Sequence, residues 1–434
     1  VKLIEIDLTP WELGSASGTD QMAFGLAMAV ELATQLAAFD LTAEEVFKRI
    51  SFRFPIGTEF LTEIAKIRAF RSLLASVLGA YGLELPGEYF HIQACPAASS
   101  ETVADPQVNL LRATTEAMTA IFAGCELISL PAYDHLYAAP NNLSMRIARN
   151  IHLVLREESN LGKVIDPAGG AYFVEHATDE MAEKAWLQFQ SIEAKGGWSN
   201  ANQSGELLDA LAASQSKRDL AINRAKKVLL GTNMYPKGAE HLPNTIPAPT
   251  LKNSGNLAAR LQALSESRKI EIQLPAATRA GAGFETLRRR MQAYEKGGGK
   301  ASKVLLLAFG NPAMRSARVN FSRNLFAAAG FTCQDNQDAD DLATSLQEVA
   351  TETPGILVLC ASDKDYASQS SELIEAVKAN SPHTVIILAG KPEGWEAYRE
   401  IGLHDCISAG MNRFEFLENM MNTLNIGKEL RHEA

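Results

Sequence analysis

Few residues in this chain stand at spacings that could do chemistry. Gly297-Gly298-Gly299-Lys300 has the glycines and the lysine of a phosphate loop, but Ala301 replaces the Ser or Thr that would hold magnesium. Asp166 with Gly169 and Gly170 has the form of a metal or phosphate turn, yet no second carboxylate stands near it in sequence. Turn chemistry alone accounts for those residues. Glu157 and Glu158 are neighbours on one helix and point in different directions, so they do not make an acid–base pair. Arg288-Arg289-Arg290 is the densest basic cluster, and it reads as the solvated face of a mixed-charge helix. The formal net charge is −10 and the sequence pI about 5.4, which argues against nucleic acid as a partner.

The five cysteines (Cys95, Cys125, Cys333, Cys360, Cys406) are far apart and form no CxxC pair. Buried free thiols in a reducing, cytoplasmic compartment are expected, rather than disulfides or zinc. No stretch reads as apolar for long enough to span a membrane, and no signal peptide precedes the first strand. The chain starts at Val1 without an initiator Met, which leaves open a trimmed or partial sequence. With 434 residues, 46% hydrophobic and 21% charged, it is expected to form two or three globular domains.

The elements that must position any site alternate. Strands are expected at residues 2–7, 49–54, 89–94 and 127–130. Helices are expected at 18–39, 58–78, 105–122 and from 141 onward. Four strand–helix units demand parallel pairing with helices outside. They make half of an eight-unit barrel, and half a barrel leaves two costly open edges. Either the other half was removed or lies in another chain, or these units close differently.

The stretch 141–175 starts with a helix behind Pro140, capped by Asn141 or Asn142. Leu143, Ile147, Ile151 and Leu155 predict an inward apolar face. Asp166-Pro167-Ala168-Gly169-Gly170 is a turn, and Tyr172-Phe173-Val174 reads as the core of a strand at 171–175. Further helices are expected at 178–195 and 205–228. Residues 231–300 read as a Pro/Gly-rich linker with short helices near 257–266 and 284–295. The barrel-type domain is thus 1–230, and residues 301–434 form a second α/β domain. Its strands fit at 304–309, 332–334, 356–360, 385–389 and 406–408. Helices fit between them, at 315–329, 340–350, 370–379 and 394–401, and at 413–424. Five such units suggest a flavodoxin-like, doubly wound sheet.

The stretch 141–175, and then nearly the whole chain in the same order, closely resembles the methylmalonyl-CoA mutase family. The resemblance implies the C-terminal half of a TIM-type barrel that binds a CoA thioester, then a cobalamin-binding-type flavodoxin-like domain. It also implies isomerisation of methylmalonyl-CoA and succinyl-CoA with adenosylcobalamin. Against the family's D-x-H-x-x-G cobalt loop, this chain carries Pro312, Met314 and Ala317. A thioether cannot replace an imidazole oriented by a carboxylate. His383 and His404 are expected before the fourth and fifth strands of the domain, at the wrong end. The second loop, Cys360-Ala361-Ser362-Asp363-Lys364, and the third, Gly390-Lys391-Pro392, also depart from the family's.

In the barrel, Pro10 occupies the position of the family's catalytic histidine, and neither Thr9 nor Trp11 can act as that acid. The resemblance carries over as substrate contacts only Arg49 and Ser51, from an Arg-x-Ser, and His91 and Gln93, from a His-x-Gln on the next strand. Ala94-Cys95-Pro96-Ala97 replaces the family's Thr-Ser-Gly-Trp. The family includes heterodimers in which a small chain has lost both sites, and this sequence resembles that chain. The resemblance implies no catalytic residue, no metal and no cofactor in this chain, with adenosylcobalamin in a large catalytic partner subunit. The alternative is an acyl-CoA-binding barrel that takes its cobalamin from another chain. A third reading is a binding module for CoA thioesters.

Overall fold

The computed structural model describes residues 2–83, 89–238, 240–243, 272–299, 303–336 and 342–427. The chain divides into two compact units. Unit 1 is Val1–Glu101, Pro106–Arg218 and Asn244–Ala280; unit 2 is Thr102–Asp105, Asp219–Pro243 and Gly281–Ala434. The short helix expected near 257–266 lies outside the described residues.

Unit 1 is built on a parallel sheet in the order β1-β2-β3-β4. Its strands are β1 (Ile4–Asp7), β2 (Ile50–Ile56), β3 (Ile92–Pro96) and β4 (Leu127–Ile128). The helices, in chain order, are α1 (Thr9–Leu13), α2 (Gly18–Leu36), α3 (Ala43–Arg49), α4 (Phe60–Ala80), α5 (Val108–Phe122) and α6 (Asn142–Leu153). They are followed by α7 (Tyr172–Ala194), α8 (Trp198–Gln203) and α9 (Glu206–Asn223). Strand alternation sends Ile50, Phe52, Phe54 and Ile56 to the helix-covered face, where all are buried. Phe52 and Phe54 meet the Phe70 ring of α4 edge-on at 4.9 and 4.7 Å. Trp11, Phe24 and Trp198 form a second aromatic cluster, each ring 5.0–5.6 Å from the next. Ser17–Asp20, Thr42–Glu45 and Asn141–Ser144 close capping boxes that start α2, α3 and α6.

Several sequence expectations are corrected. Residues 171–175 are not a strand, because α7 begins at Tyr172. A short apolar run cannot separate strand from helix by pattern alone, and Glu175, which accepts from the Gly170 amide at 2.7 Å, ties the turn to the first helical turn. The apolar stripe of α6 is only partly covered: Leu155 is buried, Ile147 and Ile151 half-buried, and Leu143 63% exposed. Among the described residues no strand follows β4 to receive it. α2 and the turn after it, Gly18–Phe39, do satisfy the length and apolarity of a membrane span, at 22 residues. The amino-terminal half of that helix is Ala-rich core on all sides: Met22, Ala23, Phe24, Leu26, Ala27 and Ala29 are all buried. This is how a buried helix of an α/β layer looks in sequence.

Unit 2 carries a parallel sheet of β5 (Val304–Ala308), β6 (Cys333–Asp335), β7 (Ile356–Cys360), β8 (Val385–Ala389) and β9 (Leu403–Ile407). The order is β6-β5-β7-β8-β9, so the winding reverses at β5. β5, β7 and β8 are buried throughout, as strands covered on both faces must be. The helices are α10 (Ala282–Lys296), α11 (Pro312–Ala327), α12 (Leu342–Glu352), α13 (Asp363–Asn380) and α14 (Arg413–Thr423). The helix expected at 394–401 is a short 3-10 segment, Trp395–Arg399. The fifth strand begins at Leu403, not Cys406, so His404 lies inside its first half rather than before it.

Phe70→Ala should cost about 3–5 kcal/mol of unfolding free energy, because its ring fills the space between two strand phenylalanines. Urea denaturation measures it, and a loss below about 1 kcal/mol would show that α4 collapses onto the sheet without it.

Candidate functional site

The opposite face of the unit 1 sheet is polar. Alternation places Glu5 and Asp7 of β1, Ser51 and Arg53 of β2, and Gln93 and Cys95 of β3 on it. The register sets Glu5 beside Ser51, and Asp7, Arg53, Gln93 and Leu127 in one row. Arg53 Nη1 is 3.8 Å from Glu5 and 4.0 Å from Asp7, so it spans both carboxylates of the edge strand. Burial raises the Cys95 thiol despite the Arg53 guanidinium beside it.

Three of the four expected substrate contacts share this face. Ser51 is 3% exposed, with its hydroxyl 3.4 Å from the Ile4 carbonyl. Gln93 is half-buried opposite Arg53. His91 stands just before β3 rather than within it, and its Nδ1 is buried with no hydrogen-bond partner. Arg49 is the last residue of α3 and donates back to the Glu45 carbonyl at 2.7 Å. It sits at the amino end of β2, away from the carboxyl ends where parallel α/β sheets usually place their chemistry.

At those carboxyl ends the structure assembles a set of groups that sequence reasoning missed. Asp7 accepts from the amide and hydroxyl of Thr9 at 2.9 and 2.7 Å, which turns the chain into α1 with Pro10 in its first turn. Glu12 of α1 accepts from the Ser99 hydroxyl, and burial raises its carboxyl. Lys66, 1% exposed, donates to the Pro55 carbonyl at 2.6 Å and to Gln21 at 3.1 Å, and lies 2.5 Å from Glu63. Glu116, 2% exposed, accepts from the Ser100 hydroxyl at 3.3 Å, and its Oε2 is buried without a hydrogen-bond partner. Burial first, and the Glu101 charge second, push it to about 8. Glu101 also pairs with His135 at 3.2 Å. Burial alone would lower His135, but the bond and charge of Glu101 outweigh it and the net direction is up. No sequence pattern marks Glu116, because its neighbours come from other elements.

The Asp166 turn is structural. Arg68 holds Asp166 at 3.1 Å and Glu175 at 3.0 Å, and Asp166 itself takes a left-handed φ of 47°.

In unit 2 the loop expected after the first strand is absent, because α11 begins at Pro312. Asn311 caps it through the amides of Ala313 and Met314, and proline suits the first helical position. Pro312 and Met314 therefore lie in a helix turn. Asp365, held below the usual carboxylate range by the Ser362 hydroxyl and then the Asn311 amide, clasps the β5 and β7 ends together at 2.6 and 3.0 Å. A side chain at Gly310 would strike that carboxylate at 2.3 Å. Arg318 packs on Gly390 and pairs with Asp363 at 3.2 Å. The buried Tyr366 hydroxyl accepts from the Ala361 amide at 2.9 Å and donates to the Ala389 carbonyl at 2.6 Å. The chain's own groups thus fill the switch point. His383 and His404 are exposed and stand toward the amino ends of β8 and β9.

The methylmalonyl-CoA mutase family model matches residues 1–299. The chain belongs to the methylmalonyl-CoA mutase family. It is 33% identical to the methylmalonyl-CoA mutase small subunit of Porphyromonas gingivalis, over 92% of this chain and 62% of that one. It is 32% identical to that of Streptomyces virginiae, over 91% of this chain and 60% of the relative. Against the methylmalonyl-CoA mutase of Rhizobium meliloti, identity is 32% over 62% of this chain and 38% of the relative. The chain therefore spans about 60% of the length of the small subunits it matches.

Glu116 gives a signed pH prediction. Between its ordinary 4.5 and its folded value of about 8 the unfolded state loses the proton and the folded state keeps it. Its contribution is full below 4.5 and is lost as pH rises through about 8, and His135 acts in the same direction. Glu116→Gln should flatten that alkaline loss in pH-dependent denaturation; an unchanged slope would place the proton elsewhere. In unit 2, Asp365→Ala should cost about 0.5–1.5 kcal/mol, read by chemical denaturation, because it removes the hydrogen bonds that join the two loops.

Proposed function

We propose that this chain is the small, non-catalytic subunit of a heterodimeric methylmalonyl-CoA mutase, whose large subunit binds adenosylcobalamin and isomerises methylmalonyl-CoA and succinyl-CoA. Unit 1 is read as half of a TIM-type barrel and unit 2 as a flavodoxin-like domain of the cobalamin-binding type. The observation that carries the reading is the filled switch point. Asp365, Tyr366 and Arg318 occupy the mouths of β5, β7 and β8, where a ligand of a doubly wound sheet would enter. The residues at the family's cobalt position are Pro312 and Met314 on a helix turn, with neither imidazole nor carboxylate. These residues do not fit a histidine-ligated corrinoid. Pro10, likewise, has no proton to exchange at the family's histidine position. The role left to the chain is to support its partner in a cytoplasmic complex.

A second reading has one observation in its favour. The orphaned Nδ1 of His91 lies on the same sheet face as Ser51 and Gln93. A buried imidazole nitrogen without a partner is costly, and a ligand hydrogen bond would relieve it. That supports residual acyl-CoA binding, with cobalamin supplied by another chain.

Titration of the purified chain with adenosylcobalamin tests the first reading. No shift to a histidine-ligated spectrum and no mutase turnover are expected, and the chain should co-purify with a large catalytic subunit. A histidine-ligated spectrum, or turnover by this chain alone, would overturn it. Calorimetry with an acyl-CoA thioester separates the second reading: heat of binding that His91→Ala abolishes supports it.

A further inference from the structure

We propose that Arg413 anchors an oxyanion-binding site within unit 2, which takes a phosphate or carboxylate group on its guanidinium.

Arg413 is the first residue of α14 and is only 8% exposed. Its guanidinium lies over the Phe321 ring of α11 at 5.2 Å. Nη1 donates to the thioether sulfur of Met234, a weak acceptor. Nε is buried without a hydrogen-bond partner. Burial lowers the group, and no neighbouring carboxylate opposes that. Other arginines of unit 2 differ. Arg288, Arg318, Arg323 and Arg399 each have a carboxylate oxygen within 2.5–3.4 Å. The Nε–Nη2 edge of Arg413, the fork that takes an oxyanion bidentately, is unused among the described residues.

A buried charge without a partner is costly. The place adds to the cost. The first turn of a helix is its positive end, which disfavours a cation and favours an anion. Asn412 accepts from the Glu415 amide, so the Arg413 and Phe414 amides are left without an acceptor among the described residues. The Phe321 ring returns part of the cost but carries no net charge. An unbranched apolar side chain would pack there without the penalty. An oxyanion would offset all of it: the lost hydration, the helix end and the missing counter-charge.

The walls of the site are fixed before a ligand arrives. Asn233 accepts from the Leu229 amide at 2.7 Å and donates to the Ile222 and Lys227 carbonyls, both at 2.9 Å, which pins the loop that carries Met234. Asn324 of α11 accepts from the Tyr235 amide at 3.1 Å and ties that loop to the helix of Phe321. A guanidinium held this way loses little freedom on binding.

The test is the thermal transition of the full chain with inorganic phosphate or with acetate, each against sodium chloride at matched ionic strength. At least one of the two should raise the transition saturably. Phosphate acting above acetate assigns a phosphate group, and the reverse assigns a carboxylate. Arg413→Met should abolish the saturable rise, and Arg413→Lys, which keeps the charge and loses the fork, should weaken apparent affinity about tenfold. Without added anion, Arg413→Met should be at least as stable as the parent. Protection no greater than that of chloride would overturn the proposal, as would protection retained in Arg413→Met. A methionine variant less stable than the parent without anion would also overturn it, because the arginine would then serve packing. None of these results depends on the cobalamin titration, so the two proposals fail separately.

Discussion

A parallel strand pair cannot be joined by a tight turn, and this constraint organises the molecule. Each return to the amino end of the sheet needs a crossover, and the crossovers are helices that must be buried on the sheet's outer face. That explains why Phe52 and Phe54 meet Phe70 and why α2 is apolar enough to pass for a membrane span.

The opposite face of the same sheet does different work. Glu5, Asp7, Arg53, Gln93 and Cys95 put charge and hydrogen-bonding capacity where a fully buried strand would carry aliphatics. Above them, Lys66 holds the end of β2 to α2 through Pro55 and Gln21, with Glu63 in contact. A buried ammonium is tolerated only when it is paired, and here two hydrogen bonds and the Glu63 carboxylate pair it. Glu116 solves the same problem by keeping its proton. These groups stabilise the loops at the carboxyl end of the sheet.

In unit 2 the contrast is sharper. A switch point between β5 and β7 is a crevice by topology, since the chain leaves it in opposite directions. Asp365 and Tyr366 from the first turn of α13, and Arg318 from α11, fill it. Gly310 and Gly390, which in a ligand site would admit a ligand close to the backbone, here admit Asp365 and Arg318.

Much of the fold was legible from local pattern. Strand alternation and capping residues such as Asn141 are short-range properties, and they placed the strands and most helices to within a few residues. Pattern failed where a segment was short or its partner distant. Tyr172-Phe173-Val174 is apolar in either conformation, and the helix is the form in which Glu175 meets both Gly170 and Arg68. The stripe of α6 has helical spacing whether or not anything covers it. Of the site, the sequence by itself determined the residue types: Pro10 and Met314 carry no imidazole in any fold. Tertiary structure alone decided the rest, that Ser51, His91 and Gln93 share a face while Arg49 turns away. It also put Glu116 beside Glu101 and Asp365 across the β5–β7 mouth. Those are meetings between residues far apart in sequence, and their energies depend on burial and distance, which no linear order contains.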